Sequence, residues 1–322
     1  MSDATVTLPA DNLVLPFAIQ SLGVRGRVVR LGSVANDIIH RHDYPPSVSA
    51  LLAEAIALTA MLGASIKFDG KFILQASTNG AVTMLVSDFT TPGQIRGYAQ
   101  FDAEKVADLE AGGDIAPADL FGTGHLAMTI DQGQHTDRYQ GIVSLDDGTL
   151  SDAAHQYFLQ SEQIPTRLRI VSGPLMSRGA AMADTWRAGA IMVQHLPNDG
   201  GFSALEVSSG DVPPGSEEVV VEDDNWVKAR VLMDTVEDHE LLDPTLAPEQ
   251  LLYRLYHEDG VTVFPVVEIR DECSCSRERI ETVLTSFSGE ERADMTEDGQ
   301  ITVTCEFCSS RYAFAAKDFA EA

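Results

Sequence analysis

The residues of this chain best suited to chemistry are its four cysteines, all near the C-terminal end. Cys273 and Cys275 form Cys-Ser-Cys, Cys305 and Cys308 form Cys-Glu-Phe-Cys, and none occurs in the first 272 residues. Thiolates are soft ligands, and two clusters of two match the tetrahedral ligand set of a structural zinc ion. The 29 residues between Cys275 and Cys305 suffice for a small hairpin-and-helix unit around it. The first pair is unusual, because zinc fingers and ribbons space each pair as Cys-x2-4-Cys, whereas one intervening residue sets two thiolates side by side. Without a metal, each pair is placed to close a local disulfide. A Cys-x-Cys ring is small and strained, and so is easily reduced again. The cluster is therefore either a plain zinc staple or a reversible redox device.

Other chemistry finds less support. A secreted disulfide framework needs a signal peptide, and the N-terminal residues lack the charged start and apolar run of one; no 18-residue apolar stretch is expected anywhere in the chain. The expectation is a cytoplasmic protein with reduced thiols, where such a pattern favours metal over disulfide. Cys305-Glu-Phe-Cys308 alone would suit a dithiol oxidoreductase, but that motif normally opens a helix early in a β-α-β unit, and here it follows a short β-like run late in the chain. His40 and His42, the only close histidine pair, read as structural. No phosphate-binding glycine loop, nucleophile elbow or His-Glu-x-x-His helix is present, so no enzyme activity is expected.

Charge narrows the partners. The net charge is −27, with 20 acidic and 13 basic side chains in residues 1–197, 16 and 3 in 198–260, and 13 and 6 in 261–322. A zinc ribbon that binds nucleic acid presents lysine and arginine to phosphates, and an acidic tail does not. Such charge does keep a protein soluble if it must expose apolar surface.

The elements that must position the cysteines divide into three stretches, 1–197, 198–262 and 263–322. The first reads as an α+β domain of antiparallel strands with packed helices. After an extended lead-in ending at Asp43-Tyr-Pro-Pro46, the stretch 47–62 is apolar around much of its surface and predicts a deeply buried helix. Strands are expected over 72–76, 81–88, 94–101, 125–130 and 138–145, with turns such as Asn79-Gly80 between them. That spacing suits antiparallel meanders and not a doubly wound nucleotide-binding sheet. Ser151 is the expected cap of a helix over 152–163, and two further strands are expected at 167–172 and 190–196. Residues 198–224, rich in Gly, Pro and acid, read as a linker or exposed loop. Beyond it, Trp226, Val227, Val231, Leu232 and Val236 are expected on one helical face, and a helix beginning near Pro248 offers Leu251, Leu252, Leu255 and Tyr256. These two amphipathic helices need a surface to cover, and docking on the first domain supplies one.

Wording as well as spacing then becomes informative. Leu252-Tyr-Arg-Leu-Tyr-His-Glu258, Cys273-Ser-Cys-Ser-Arg-Glu-Arg279 and Val303-Thr-Cys-Glu-Phe-Cys308 closely resemble the redox-regulated heat-shock chaperones of the 33 kDa chaperonin family. His42-Asp-Tyr-Pro45, Lys67-Phe-Asp-Gly70, Arg138-Tyr-Gln-Gly141 and Tyr157-Phe-Leu-Gln-Ser-Glu-Gln-Ile-Pro-Thr166 do so too. The resemblance implies a cytoplasmic, ATP-independent holdase. It implies that Cys273, Cys275, Cys305 and Cys308 bind one zinc ion when reduced, and that oxidation joins Cys273 to Cys275 and Cys305 to Cys308 with loss of the metal. It further implies that the zinc unit and linker then unfold, that apolar surface captures unfolded or misfolded client proteins, and that the oxidised form dimerises; neither nucleic acid nor membrane is a partner. The competing expectation is a constitutive zinc-ribbon interaction module. The tail's own physics favours a switch: a unit of about 50–60 residues has little core, and structural zinc contributes roughly 10–16 kcal/mol to folding such units.

Overall fold

The computed structural model describes residues 10–66, 69–113, 115–133, 138–146, 148–175, 185–196 and 223–319. The chain begins with a hairpin, β1 (Leu13–Ile19) and β2 (Val24–Leu31), then α1 (Ser33–Ile39) and α2 (Pro46–Gly63). A meander follows: β3 (Lys71–Thr78), β4 (Val82–Thr90) and β5 (Gln94–Phe101), then the short helices α3 (Ala103–Ala111) and α4 (Pro117–Phe121), then β6 (Gly124–Asp131) and β7 (Tyr139–Ser144). Next come α5 (Leu150–Tyr157), β8 (Thr166–Leu175) and β9 (Thr185–His195). The later elements are α6 (Asp224–Asp234), α7 (Asp238–Leu242), α8 (Pro248–Tyr256), and the two-residue strands β10 (Thr262–Val263), β11 (Val267–Glu268) and β12 (Arg270–Asp271). The chain closes with α9 (Arg277–Ser286), α10 (Gly289–Asp294), β13 (Thr296–Glu297), β14 (Gln300–Thr304) and β15 (Arg311–Ala315).

The expected α+β class and the antiparallel meander hold. One sheet runs β10-β1-β2-β9-β8, with β11 also on β1; a second runs β12-β5-β4-β3-β6-β7. α2 lies between them, against β4 and β5 on one side and β8 and β9 on the other, which is why nearly its whole surface is apolar and buried. This corrects one expectation: α2 is an 18-residue stretch long and apolar enough to cross a membrane, but 78% of it is buried inside the protein. The lead-in before Pro46 holds more than extended chain, since α1 packs on the first sheet. The cap of α5 is Thr149, not Ser151, because Thr149 and Asp152 close a reciprocal capping box.

The opposite face of the first sheet is covered by a strap made of α6, α7 and α8. Leu13, Leu15, Phe17, Ile19, Val24, Val28, Ile191 and Val193 from the sheet pack with Trp226, Ala229, Met233, Val236, Leu241, Leu251, Leu252, Leu255 and Tyr256. The expected α8 face is borne out in full. On α6 the buried stripe is Trp226, Ala229 and Met233, and Val231 points outward, 53% exposed. Polar anchors reinforce the strap: buried Arg30 donates to the carbonyls of Asp243 and Leu246, and Arg187 donates to the Leu242 carbonyl at 2.7 Å while pairing with Asp11. Tyr256, fully buried, stacks on Phe17 at 6.1 Å and donates to the Ala229 carbonyl at 3.1 Å. The expected linker or loop over 198–224 lies, apart from its last two residues, outside the described residues, as do Lys67 and Phe68 of the motif quoted above.

Candidate metal centre

Each cysteine pair is delivered by the edge of something firmer. From α8 the chain runs along both sheets: the Phe264 amide donates to Pro16, Ile269 to Asn12, Arg270 to Gly93 and Glu272 to Ile95. β12 adds to β5 in parallel, which sets Cys273 beside that strand. A side chain at Gly93 would put its Cβ 2.0 Å from the Glu268 carbonyl, so only glycine lets the connection lie this close. After Cys275, Ser276 caps α9. The second pair sits on the turn between β14 and β15, where the Cys305 amide donates to Ser310 at 2.9 Å and the Ser309 amide donates to Cys305 at 2.8 Å. Ser309 takes a left-handed φ of 56° to close this knuckle.

The four sulfurs converge. All lie within 4.8 Å of one another, with Cys273 Sγ 3.8 Å from Cys305 Sγ and Cys275 Sγ 3.3 Å from Cys308 Sγ. Four sulfurs at about 2.3 Å from a tetrahedral metal stand about 3.8 Å apart, so the donor set fits an ion of that kind. All four cysteines are free thiols and partly buried. Proton chemistry supports a cation. Burial pushes the Cys275 thiol up to about 12, helped by the neighbouring thiols and only partly offset by the Tyr312 hydroxyl at 3.2 Å. Burial also raises Cys305. Burial acts the same way on Cys308, but hydrogen bonding to Ser310 and the neighbouring thiols outweighs it and brings the group down to about 6. Four adjacent thiols cannot all ionise alone, and a coordinated divalent cation is what permits it. Around the cluster the unit has a small core of Leu284, Ile301, Phe314 and Phe319 among the described residues.

The cluster also touches the N-terminal sheets. Arg96 on β5 donates from Nη1 to Cys273 Sγ at 3.6 Å, and its guanidinium lies 3.9 Å above the Phe307 ring. Burial disfavours its charge, but Asp88 and Cys273 outweigh that and hold its pKa above the usual arginine value. Arg41 pairs with Asp271, and Ser309 Oγ donates to the Arg41 carbonyl at 3.3 Å.

Sequence comparison settles the family. The chain matches the family described as Hsp33 protein over residues 12–315. The chain belongs to the Hsp33 family. A 33 kDa chaperonin of Caulobacter vibrioides is 43% identical over 305 residues, spanning 94% of each chain. One from Escherichia coli is 32% identical over 317 residues, 98% of this chain and 96% of that one. The solved structure of an Hsp33 homologue from Thermotoga maritima has the same fold, with a TM-score of 0.74 at 22% identity over 96% of this chain and 97% of that one.

The sequence reading placed all four cysteines correctly as a group, and it placed α8 against the first domain. It missed Arg30, Arg187, Arg96 and Asp88. For Arg30 a signal exists: an arginine inside the apolar run Val28-Val-Arg-Leu31 needs a partner, and the strap carbonyls provide it.

Proposed function

We propose that this Hsp33 protein is a redox-regulated, ATP-independent holdase and not an enzyme, built as a core (1–197), a strap (198–262) and a cysteine unit (263–322). The observation that carries the reading is the strap: a continuous apolar sheet face is covered by short helices tied in sequence to a unit with almost no core of its own. Burying each large side chain of the strap contributes about 1.5–3 kcal/mol, but helices of this length are marginal once detached.

In the reduced state Cys273, Cys275, Cys305 and Cys308 would hold one zinc ion, which when bound supplies the cross-link that folds the cysteine unit. On oxidation, Cys273 with Cys275 and Cys305 with Cys308 each form one S–S bond. Each pair gives up two protons and two electrons, and one hydrogen peroxide takes both and leaves as two waters. The disulfide sulfurs are neutral and no longer serve as thiolate ligands. The cysteine unit then loses its cross-link, β10 to β12 lose their anchor, and the strap is held only by its own face. With the strap displaced, the sheet face and the apolar strap stripes are open to unfolded client proteins, and to a second copy in an oxidised homodimer. A cytoplasmic location suits thiols that must start reduced.

The test is suppression of aggregation of a thermally unfolding client by reduced, zinc-loaded and by peroxide-treated protein. Suppression confined to the oxidised form supports the reading. Equal suppression by both forms, or binding only while reduced, favours the constitutive zinc-ribbon module instead.

A further inference from the structure

Phe307 lies inside the Cys305–Cys308 turn, yet it does not pack on the core of its own unit. Its ring meets Tyr98 of β5 edge-on at 4.8 Å and lies beneath the guanidinium of Arg96 at 3.9 Å. Arg96 is itself fixed from behind. Asp88, directly opposite on β4, accepts from Nε at 2.8 Å and from Nη2 at 2.6 Å, which leaves Nη1 to reach Cys273 Sγ at 3.6 Å. One planar group thus touches both cysteine pairs, Cys273 by a hydrogen bond and the 305–308 turn through the face of its aromatic ring.

We infer that Arg96 is a positioning residue for the cysteine cluster: a cation supplied by the N-terminal sheet that orients the Cys273 sulfur toward the other three and docks the Cys305–Cys308 turn on β5. The inference rests on reading the four cysteines as a metal site. A hydrogen bond from a cation to a thiolate is stronger than one to a neutral sulfur, so the contact weakens when Cys273 enters a disulfide. The same event changes the turn that presents Phe307. Arg96 therefore joins the state of the sulfurs to the attachment of the cysteine unit, and it does so from 177 residues away in sequence.

The test uses the full-length reduced chain with Arg96→Met, Arg96→Lys and Phe307→Leu. Zinc affinity is read by competition with a chromophoric chelator, and thiol loss is followed under hydrogen peroxide. Removing a partner that orients a metal ligand typically lowers affinity 10–100-fold, so R96M should retain zinc about tenfold or more less tightly and lose thiols correspondingly faster. R96K keeps the charge without the planar face and should fall between. F307L removes the aromatic face on which Arg96 rests and should speed amide exchange at β12 and β5. Wild-type zinc affinity and thiol-loss rate in R96M would overturn the proposal. Should R96M fail to fold, Asp88→Asn, which frees the guanidinium, must shift both readouts the same way or the proposal falls. A wild-type chain that takes up no zinc would refute the metal site itself, an outcome distinct from an unaffected R96M in a chain that does.

Discussion

Adding one methyl group at Gly189 should release the strap without touching any cysteine. Gly189 lies on β9 on the sheet face that α7 covers, and a Cβ there would stand 2.6 Å from the Leu241 carbonyl oxygen and 2.9 Å from the Leu241 Cβ. Ordinary contact begins near 3.4 Å, so α7 must retreat by most of an ångström next to its C-terminal end, where Arg187 binds the Leu242 carbonyl and Arg30 that of Asp243. Overpacking of this kind costs about 1–3 kcal/mol. The clash exists only while the strap is docked, and the strand's preference for alanine over glycine acts on both states alike. The docked-to-released ratio of Gly189→Ala should therefore fall about 5- to 150-fold. Hydrogen exchange on the reduced, zinc-loaded protein should show amides of α6, α7 and α8 exchanging faster by that factor, with α2 unchanged, and client aggregation should be partly suppressed before any oxidant is added. Wild-type exchange in the strap would refute the docking geometry. Faster exchange with no gain in suppression would refute the link between release and client capture.

Three further outcomes follow from the same contacts. Tyr256→Phe removes the hydrogen bond to Ala229 but keeps the ring on Phe17, and should destabilise the docked strap by about 0.5–1.5 kcal/mol, visible as a modest rise in strap exchange. Glu54 of α2 is pushed from its ordinary value of 4.5 up to about 7, first by burial and then by Asp238 of α7. The folded form holds that proton more tightly than the unfolded chain, so the stabilisation is complete below about pH 4.5 and is lost as pH rises through about 7; Glu54→Gln should melt above wild type at pH 8 and close to it at pH 4.5. Joint substitution of Cys273 and Cys275 by serine should abolish zinc binding and melt the cysteine unit, whose core is too small to fold it alone, seen as fast exchange across α9, β14 and β15 in the reduced protein.

What the sequence disclosed and what it hid have physical reasons. α2 was legible because a helix between two sheets must be apolar all round, and the β3–β7 meander was legible from its turn residues. β1 and β2 escaped notice because Arg25, Arg27 and Arg30 interrupt the strand pattern, although Arg30 is buried. The stripe on α6 was misread because Ala229 gives little hydrophobic signal, which let Val231 stand in for it. Thr149 and Ser151 both carry capping hydroxyls, and only the reciprocal bond from Asp152 decides between them. β10, β11 and β12 are set by the sheet edges they join and not by their own residues. The grouping of the four cysteines, whose sulfurs lie within 4.8 Å of one another, could be read from spacing alone. Its partner Arg96 could not, because no local pattern connects β5 to the tail.

Time-resolved hydrogen exchange during peroxide treatment, with thiols and client aggregation followed in the same samples, tests the central claim most directly. Loss of the four thiols should be accompanied by loss of protection in α6, α7 and α8, with α2 still protected and suppression of aggregation rising in step. A fully oxidised protein whose strap stays protected while it suppresses aggregation would contradict the claim that the covered sheet face is the surface the cysteines release.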